Sequence, residues 1–182
     1  IAGSSGHMKT FLAVTLGLSI ATGKNIGEHG VKKCGVIYML NEGQAGIGPR
    51  CDAWVRHYNV GDIENFRVVK TTPNLMRRQE VETYIQAIRE LGIKPGLIIL
   101  DTFNKSTIGA DDNSTQEMAE ALEAAFQIGN ECNALVLLID HLGKDKSRGI
   151  RGSYSKFANA DMVGLVTKSG LTVSLLTEKQ RD

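Results

Sequence analysis

Three apolar runs limit what this chain can fold into. Residues 34–40, 97–100 and 134–139 consist of Cys, Gly, Ala, Val, Ile, Leu, Met and one Tyr. A strand that is apolar on both faces must be covered on both, which is the situation of a parallel sheet between helices. Each run ends in polar residues: Asn41-Glu42, Asp101 and Asp140-His141. In a parallel sheet such strand ends face one crevice, where ligands bind.

The intervening segments read as helices. Residues 10–22 are apolar nearly all round, as a buried helix is. Residues 45–59 form a second helix, with Pro49 near its start. Residues 78–91 carry Val81, Ile85, Ile88 and Leu91 at helical spacing. Ser114-Thr115-Gln116-Glu117 is a capping box opening a helix to about Cys132, with Met118, Leu122, Ala125 and Phe126 on one face. A short strand is expected at 66–69. Strands at 162–167 and 171–177, joined by a turn at 168–170, form an antiparallel hairpin. The expected fold class is α/β, a mostly parallel sheet with helices on both faces and a C-terminal antiparallel hairpin.

A formal net charge of +1 with 42% hydrophobic and 23% charged residues excludes a disordered or polybasic chain, so any nucleic-acid contact must be local. The three cysteines, Cys34, Cys51 and Cys132, are widely spaced and lack a C-x-x-C pair. That excludes a disulfide framework or zinc site and points to a reducing cytosol. No apolar run reaches the roughly 18 residues of a membrane span, so no membrane association is expected.

The amino-terminal segment has two readings. Met8-Lys9-Thr10 followed by residues 11–21 resembles a signal peptide, with Gly3 to His7 as a cloning scar. Alternatively, Gly3-Ser4-Ser5-Gly6-His7-Met8-Lys9-Thr10 matches G-x-x-x-x-G-K-[ST]. Glycines there let backbone N–H groups close around phosphate oxygens, the lysine reaches the β/γ-phosphates, and the hydroxyl serves Mg²⁺. Met8 stands where the pattern wants glycine; it is expected at negative φ, as the start of a helix allows. On this reading the first strand is reduced to Ile1-Ala2.

Asp101 suits the second half of a nucleotide site, holding Mg²⁺ through water. Glu42, on the same expected edge, can orient and deprotonate a water. His141 would lie at the crevice, with Asp140 a less obvious participant. Lys144, Lys146, Arg148, Arg151 and Lys156 against one acid, Asp145, suit the backbone of single-stranded DNA.

The ordered set is more specific than any of its parts. Gly3 to Phe11, Val36-Ile37-Tyr38 leading to Asn41-Glu42-Gly43-Gln44-Ala45-Gly46, and Leu97 to Thr102 all take part. So do residues 109–114, His141-Leu142-Gly143-Lys144-Asp145, Arg151-Gly152-Ser153 and Lys179-Gln180-Arg181-Asp182. Together they resemble the RecA-like P-loop ATPases, most closely the RepA-like and AAA-labelled ring helicases of phages and plasmids. The resemblance decides for the phosphate loop over the signal peptide.

It implies one RecA-like ATPase domain over residues 1–182, lacking most of its first strand. ATP would be held by Gly3, Ser4, Ser5, Gly6, His7, Met8, Lys9, Thr10 and Phe11. Mg²⁺ would be held by Thr10 and, through water, Asp101. Glu42 becomes the catalytic base and His141 the γ-phosphate sensor. Lys179 and Arg181 would act from a neighbouring subunit, with Arg181 the preferred arginine finger and Arg151 a second candidate. The segment 144–156 corresponds to a DNA-gripping loop. A homo-oligomeric, hexameric ring on single-stranded DNA in a bacterial or phage-infected cytoplasm follows. A recombinase or recombination mediator is the first alternative; a nucleotide-dependent DNA-binding regulatory module with little turnover is the second.

Overall fold

A computed structural model describes residues 1–142 and 154–181. The elements are β1 (Ala2–Gly3), α1 (Lys9–Thr22), β2 (Gly35–Leu40), α2 (Gln44–Tyr58), β3 (Phe66–Val69), α3 (Arg78–Glu90) and β4 (Pro95–Asp101). A 3-10 turn (Phe103–Ser106) leads to α4 (Thr115–Cys132), β5 (Leu135–His141), α5 (Ser155–Asn159), β6 (Met162–Ser169) and β7 (Thr172–Gln180).

The strands form one sheet in the order β3-β2-β4-β5-β1-β6-β7. All pairings are parallel except β6 with β7. The α/β architecture expected from the apolar runs is therefore the observed one. β1 lies between β5 and β6, with Gly3 level with His141 on one side and Val166 on the other.

The pleat sorts each apolar run onto two cores. Val36, Tyr38 and Leu40 of β2, with Leu97 and Ile99 of β4 and Ile139 of β5, pack against α1 and α2. Ile37, Met39, Ile98 and Leu100 pack against α3 and α4. Successive strand residues point to opposite faces, so Asp101 follows Leu97 and Ile99 onto the α1 face. By the same count His141 follows Ile139 to that face, and Asp140 goes to the other.

Two local expectations are corrected. Ser114 Oγ accepts the Glu117 N–H (3.2 Å), but the Glu117 carboxylate takes the Asp111 N–H (2.8 Å) rather than closing a reciprocal box. Phe126 is 55% exposed, because α4 buries Met118, Ala121, Ala125 and Ile128 instead. The segment that resembles a signal peptide is α1, whose Ala13, Val14, Leu18 and Ala21 sit in the core. Among the described residues no helix is long and apolar enough to cross a membrane.

Candidate active site

β1 turns into α1 through residues 4–8, so the glycine-containing loop sits at the carboxyl edge of a central strand and at a helix N-terminus. A Cβ on Gly3 would come within 2.7 Å of the Val166 carbonyl oxygen, so only glycine lets β1 lie this close to β6. Gly6 has φ +78° and no heavy atom near the position of a Cβ. The loop's amide groups and the positive end of α1 together suit an anion.

Met8 is the N-cap of α1 at φ 67°, ψ 23°, in the left-handed region. The expectation of negative φ is therefore overturned: the position keeps the backbone shape that the motif's glycine would supply. Left-handed backbone costs a non-glycine residue roughly 1–2 kcal/mol, while a glycine costs about 0.5–1 kcal/mol in added chain freedom. Met8→Gly is expected to raise the unfolding free energy by the difference, about 0.5–1 kcal/mol. A urea titration with an unchanged slope would show it as a higher midpoint.

Lys9 is only 6% exposed. Its ammonium donates to the carbonyls of Gly3 (2.8 Å) and Ser4 (3.1 Å) and to His141 Nδ1 (3.2 Å). Burial pushes its pKa below the ordinary lysine value, against the pull of Asp101 and Asp140. A buried ammonium resting on loop carbonyls is a cation suited to a phosphate group.

Beside it, the Thr10 hydroxyl donates to Asp101 Oδ2 at 2.9 Å. The Tyr38 phenol donates to the same oxygen at 2.7 Å. Burial first, then the charge and hydrogen bond of Asp101, push the Tyr38 pKa far above the usual phenol range. Tyr38 is thus a fixed donor that orients Asp101. Sequence reasoning placed it only inside an apolar strand; its signal is a hydroxyl three residues ahead of the polar strand end.

Nearby oxygen donors are the ligand chemistry Mg²⁺ prefers. The Thr10 hydroxyl and Asp101 carboxylate, beside a buried lysine, fit a nucleotide–Mg²⁺ pair. Among the described residues no cluster of three or more His, Cys, Asp or Glu could hold a metal alone, so phosphate and water oxygens would complete the shell.

His141 is pushed below the ordinary imidazole range, first by burial and then by Lys9; Asp140, Glu42 and Asp101 oppose this. A neutral imidazole accepting from Lys9 is consistent with both shifts. The unfolded chain therefore takes up the His141 proton first as pH falls. Stability is expected to drop as pH falls through about 6.5 and to level off below the lowered native value. Comparing urea unfolding of the protein and His141→Asn from pH 8 to pH 5 should show a difference that changes only in that window.

Glu42 leaves the sheet on the same edge as Asp101, since Leu40 and Asp101 are in register and the Asn41 N–H donates to the Asp101 carbonyl (3.2 Å). Its carboxylate is half-exposed and pairs with Lys105 at 3.2 Å. Close by, the Arg50 guanidinium lies 5.0 Å from the Phe11 ring centroid, with Nη1 3.0 Å from where a Gly46 Cβ would stand. Among the described residues no hydrogen bond or ion pair holds Arg50, and its charge reaches Tyr38 and Cys51. Sequence reasoning missed this cation at the crevice.

The other expected residues lie elsewhere. The His7 ring sits 3.3 Å from the Val166 carbonyl, and Ser4 and Ser5 lie in the loop. β6 runs parallel to β1, and Lys179 of β7 pairs with Val163 near the start of β6, whereas Gly3 pairs with Val166. Lys179 and Arg181 are thus at the opposite end of β6 from the loop. Lys179 donates to the carbonyls of Phe157 and Ala158, and Arg181 to Ala158 and to Asp161 Oδ1. Lys144, Lys146, Arg148 and Arg151 lie outside the described residues. Lys156 departs from the expected exposed basic strip: it is 4% exposed and bonded to Asp140.

A glycine loop from a central parallel strand, a lysine beneath it and a Thr–Asp pair beside it define a P-loop nucleoside triphosphatase of RecA-like fold. The chain belongs to the AAA domain family, whose profile matches residues 1–147. Among solved structures it is similar to the ATPase domain of a phage replicative helicase, at 11% sequence identity and a TM-score of 0.68, covering 100% of this chain and 76% of that one. No curated protein matches. The chain is an AAA-type P-loop ATPase domain of RecA-like α/β fold.

Proposed function

We propose that residues 1–182 form the ATP-hydrolysing motor domain of a replicative DNA helicase, working as a hexameric homo-oligomer on single-stranded DNA in a bacterial or phage-infected cytoplasm. The observation that carries this reading is the contact between Lys9 and His141 (3.2 Å), which joins the phosphate loop to the strand end that leads into the basic segment.

ATP with Mg²⁺ would supply the phosphoryl bond that is broken and the charge that neutralises its oxygens. Lys9, with the loop amides, binds the phosphates, and the Thr10 hydroxyl and Asp101 hold the metal. Tyr38 keeps Asp101 oriented. Glu42, released from Lys105, takes the proton of the attacking water. Arg50 adds positive charge within the subunit, and Arg181 adds it from a neighbour. Loss of the bond to Lys9 frees His141 to report occupancy toward residues 144–151.

Turnover measured with and without single-stranded DNA tests the reading. A motor is expected to hydrolyse slowly alone and severalfold faster with DNA, and to sediment as a closed hexamer with nucleotide. Equal turnover in both conditions would sink the motor. Tight DNA binding with negligible hydrolysis would favour a regulatory module, the alternative supported by Met8 in the glycine position of the loop.

A further inference from the structure

The last two residues of β5 face opposite sides of the sheet. His141 reaches Lys9 on the α1 face. Asp140, on the α4 face, accepts the His141 N–H on Oδ1 (2.8 Å) and the Lys156 ammonium on Oδ2 (3.1 Å). Lys156 is buried, 5.1 Å from the Phe103 ring centroid and 4.0 Å from Asp112 Oδ1. Asp112 is itself held by Asn104.

Lys156 lies on α5, a helix of five residues. The carbonyls of Phe157 and Ala158 on the same helix accept from Lys179 and Arg181. One short element is therefore bonded at one end to the backbone of the histidine beside the phosphate loop. At the other it is bonded to the basic end of β7.

A buried ion pair is a poor device for stability, because desolvation offsets most of its attraction. It does fix direction: Asp140 cannot shift without drawing Lys156, and a charged pair at this depth has few alternative partners. We propose that Lys156 is a positioning residue, and that the Asp140–Lys156 pair couples occupancy of the Lys9 site to the placement of α5 and, through it, of Lys179 and Arg181. The proposal rests on nucleotide binding at Lys9. An anion there competes with His141 for the ammonium, the His141 ring is released, and the end of β5 resettles. The rigid pair carries that movement through the sheet to α5.

The test is hydrogen exchange of the α5 amides with and without ADP or a non-hydrolysable ATP analogue. Lys156→Met alone would leave a buried carboxylate unpaired and could unfold the chain. The informative variant is D140N/K156M, in which the introduced side-chain amide oxygen can still accept the His141 N–H and no charge is stranded. The intact protein is expected to show a severalfold change in α5 exchange on nucleotide addition. The double variant should bind nucleotide within about threefold of the intact protein, with that change lost. A nucleotide-induced change that persists in the double variant overturns the coupling, as does its absence in the intact protein with nucleotide bound. Absence of nucleotide binding to the intact protein overturns the phosphate-loop reading as well.

Discussion

Glu42→Gln is expected to bind nucleotide as the unaltered protein does while turnover falls by ~10²–10⁴-fold, the usual contribution of a positioned general base. The substitution keeps size and hydrogen-bonding capacity but removes the basic oxygen. It should be structurally mild. Glu42 is half-exposed and its pairing with Lys105 lies at the surface, where such a pair contributes about 0–1 kcal/mol. A drop in rate therefore cannot be attributed to unfolding. Lys9→Ala provides the contrast, since it removes the ammonium that binds the phosphates and should lower affinity as well as rate. Titration with a fluorescent nucleotide, together with steady-state turnover, separates the two effects. Hydrolysis unchanged in Glu42→Gln would place the base elsewhere in the crevice.

The fold was legible because its strongest signal was also its physical cause. An all-apolar strand demands cover on both faces, and the runs at 34–40, 97–100 and 134–139 became three adjacent central strands. The acids at their ends were legible because parallel strands share an edge. What escaped the sequence depended on pairings between distant residues. Tyr38 reads as one more apolar residue until the pleat sets it beside Asp101. Arg50 is one charge among many until packing leaves it against Phe11, with no acceptor among the described residues. Lys156 belonged to a basic run by count, yet a helical turn at 155–159 swings it into the core against Asp140. Met8 is the instructive local case. Its left-handed φ is set by the loop, not by the preference of its own side chain.

The largest effect is expected at Arg181, and only in the assembled protein. Supplying an arginine finger from a neighbour contributes about 10³–10⁵-fold in rate, so Arg181→Ala should lose that factor under assembling conditions and change little in dilute subunits. The fold supplies the reason. Arg181 continues from the end of β7 beside the start of β6, and the phosphate loop lies level with the other end of that strand. The residue is therefore placed to serve a neighbour's site. Its pairing with exposed Asp161 (3.1 Å) is a surface contact that costs no more than about 1 kcal/mol to release. Lys179 is held more firmly, by two carbonyls and the Phe157 ring, so Lys179→Ala should act partly through α5 and cost less in rate. Mixing decides the matter. Arg181→Ala subunits retain Glu42, and Glu42→Gln subunits retain Arg181. In a randomly mixed closed ring, roughly a quarter of the interfaces regain both groups. Turnover well above either variant alone is the expected result. Two inactive variants that stay inactive when mixed, or an Arg181→Ala protein that hydrolyses normally when assembled, would remove Arg181 from the neighbouring site.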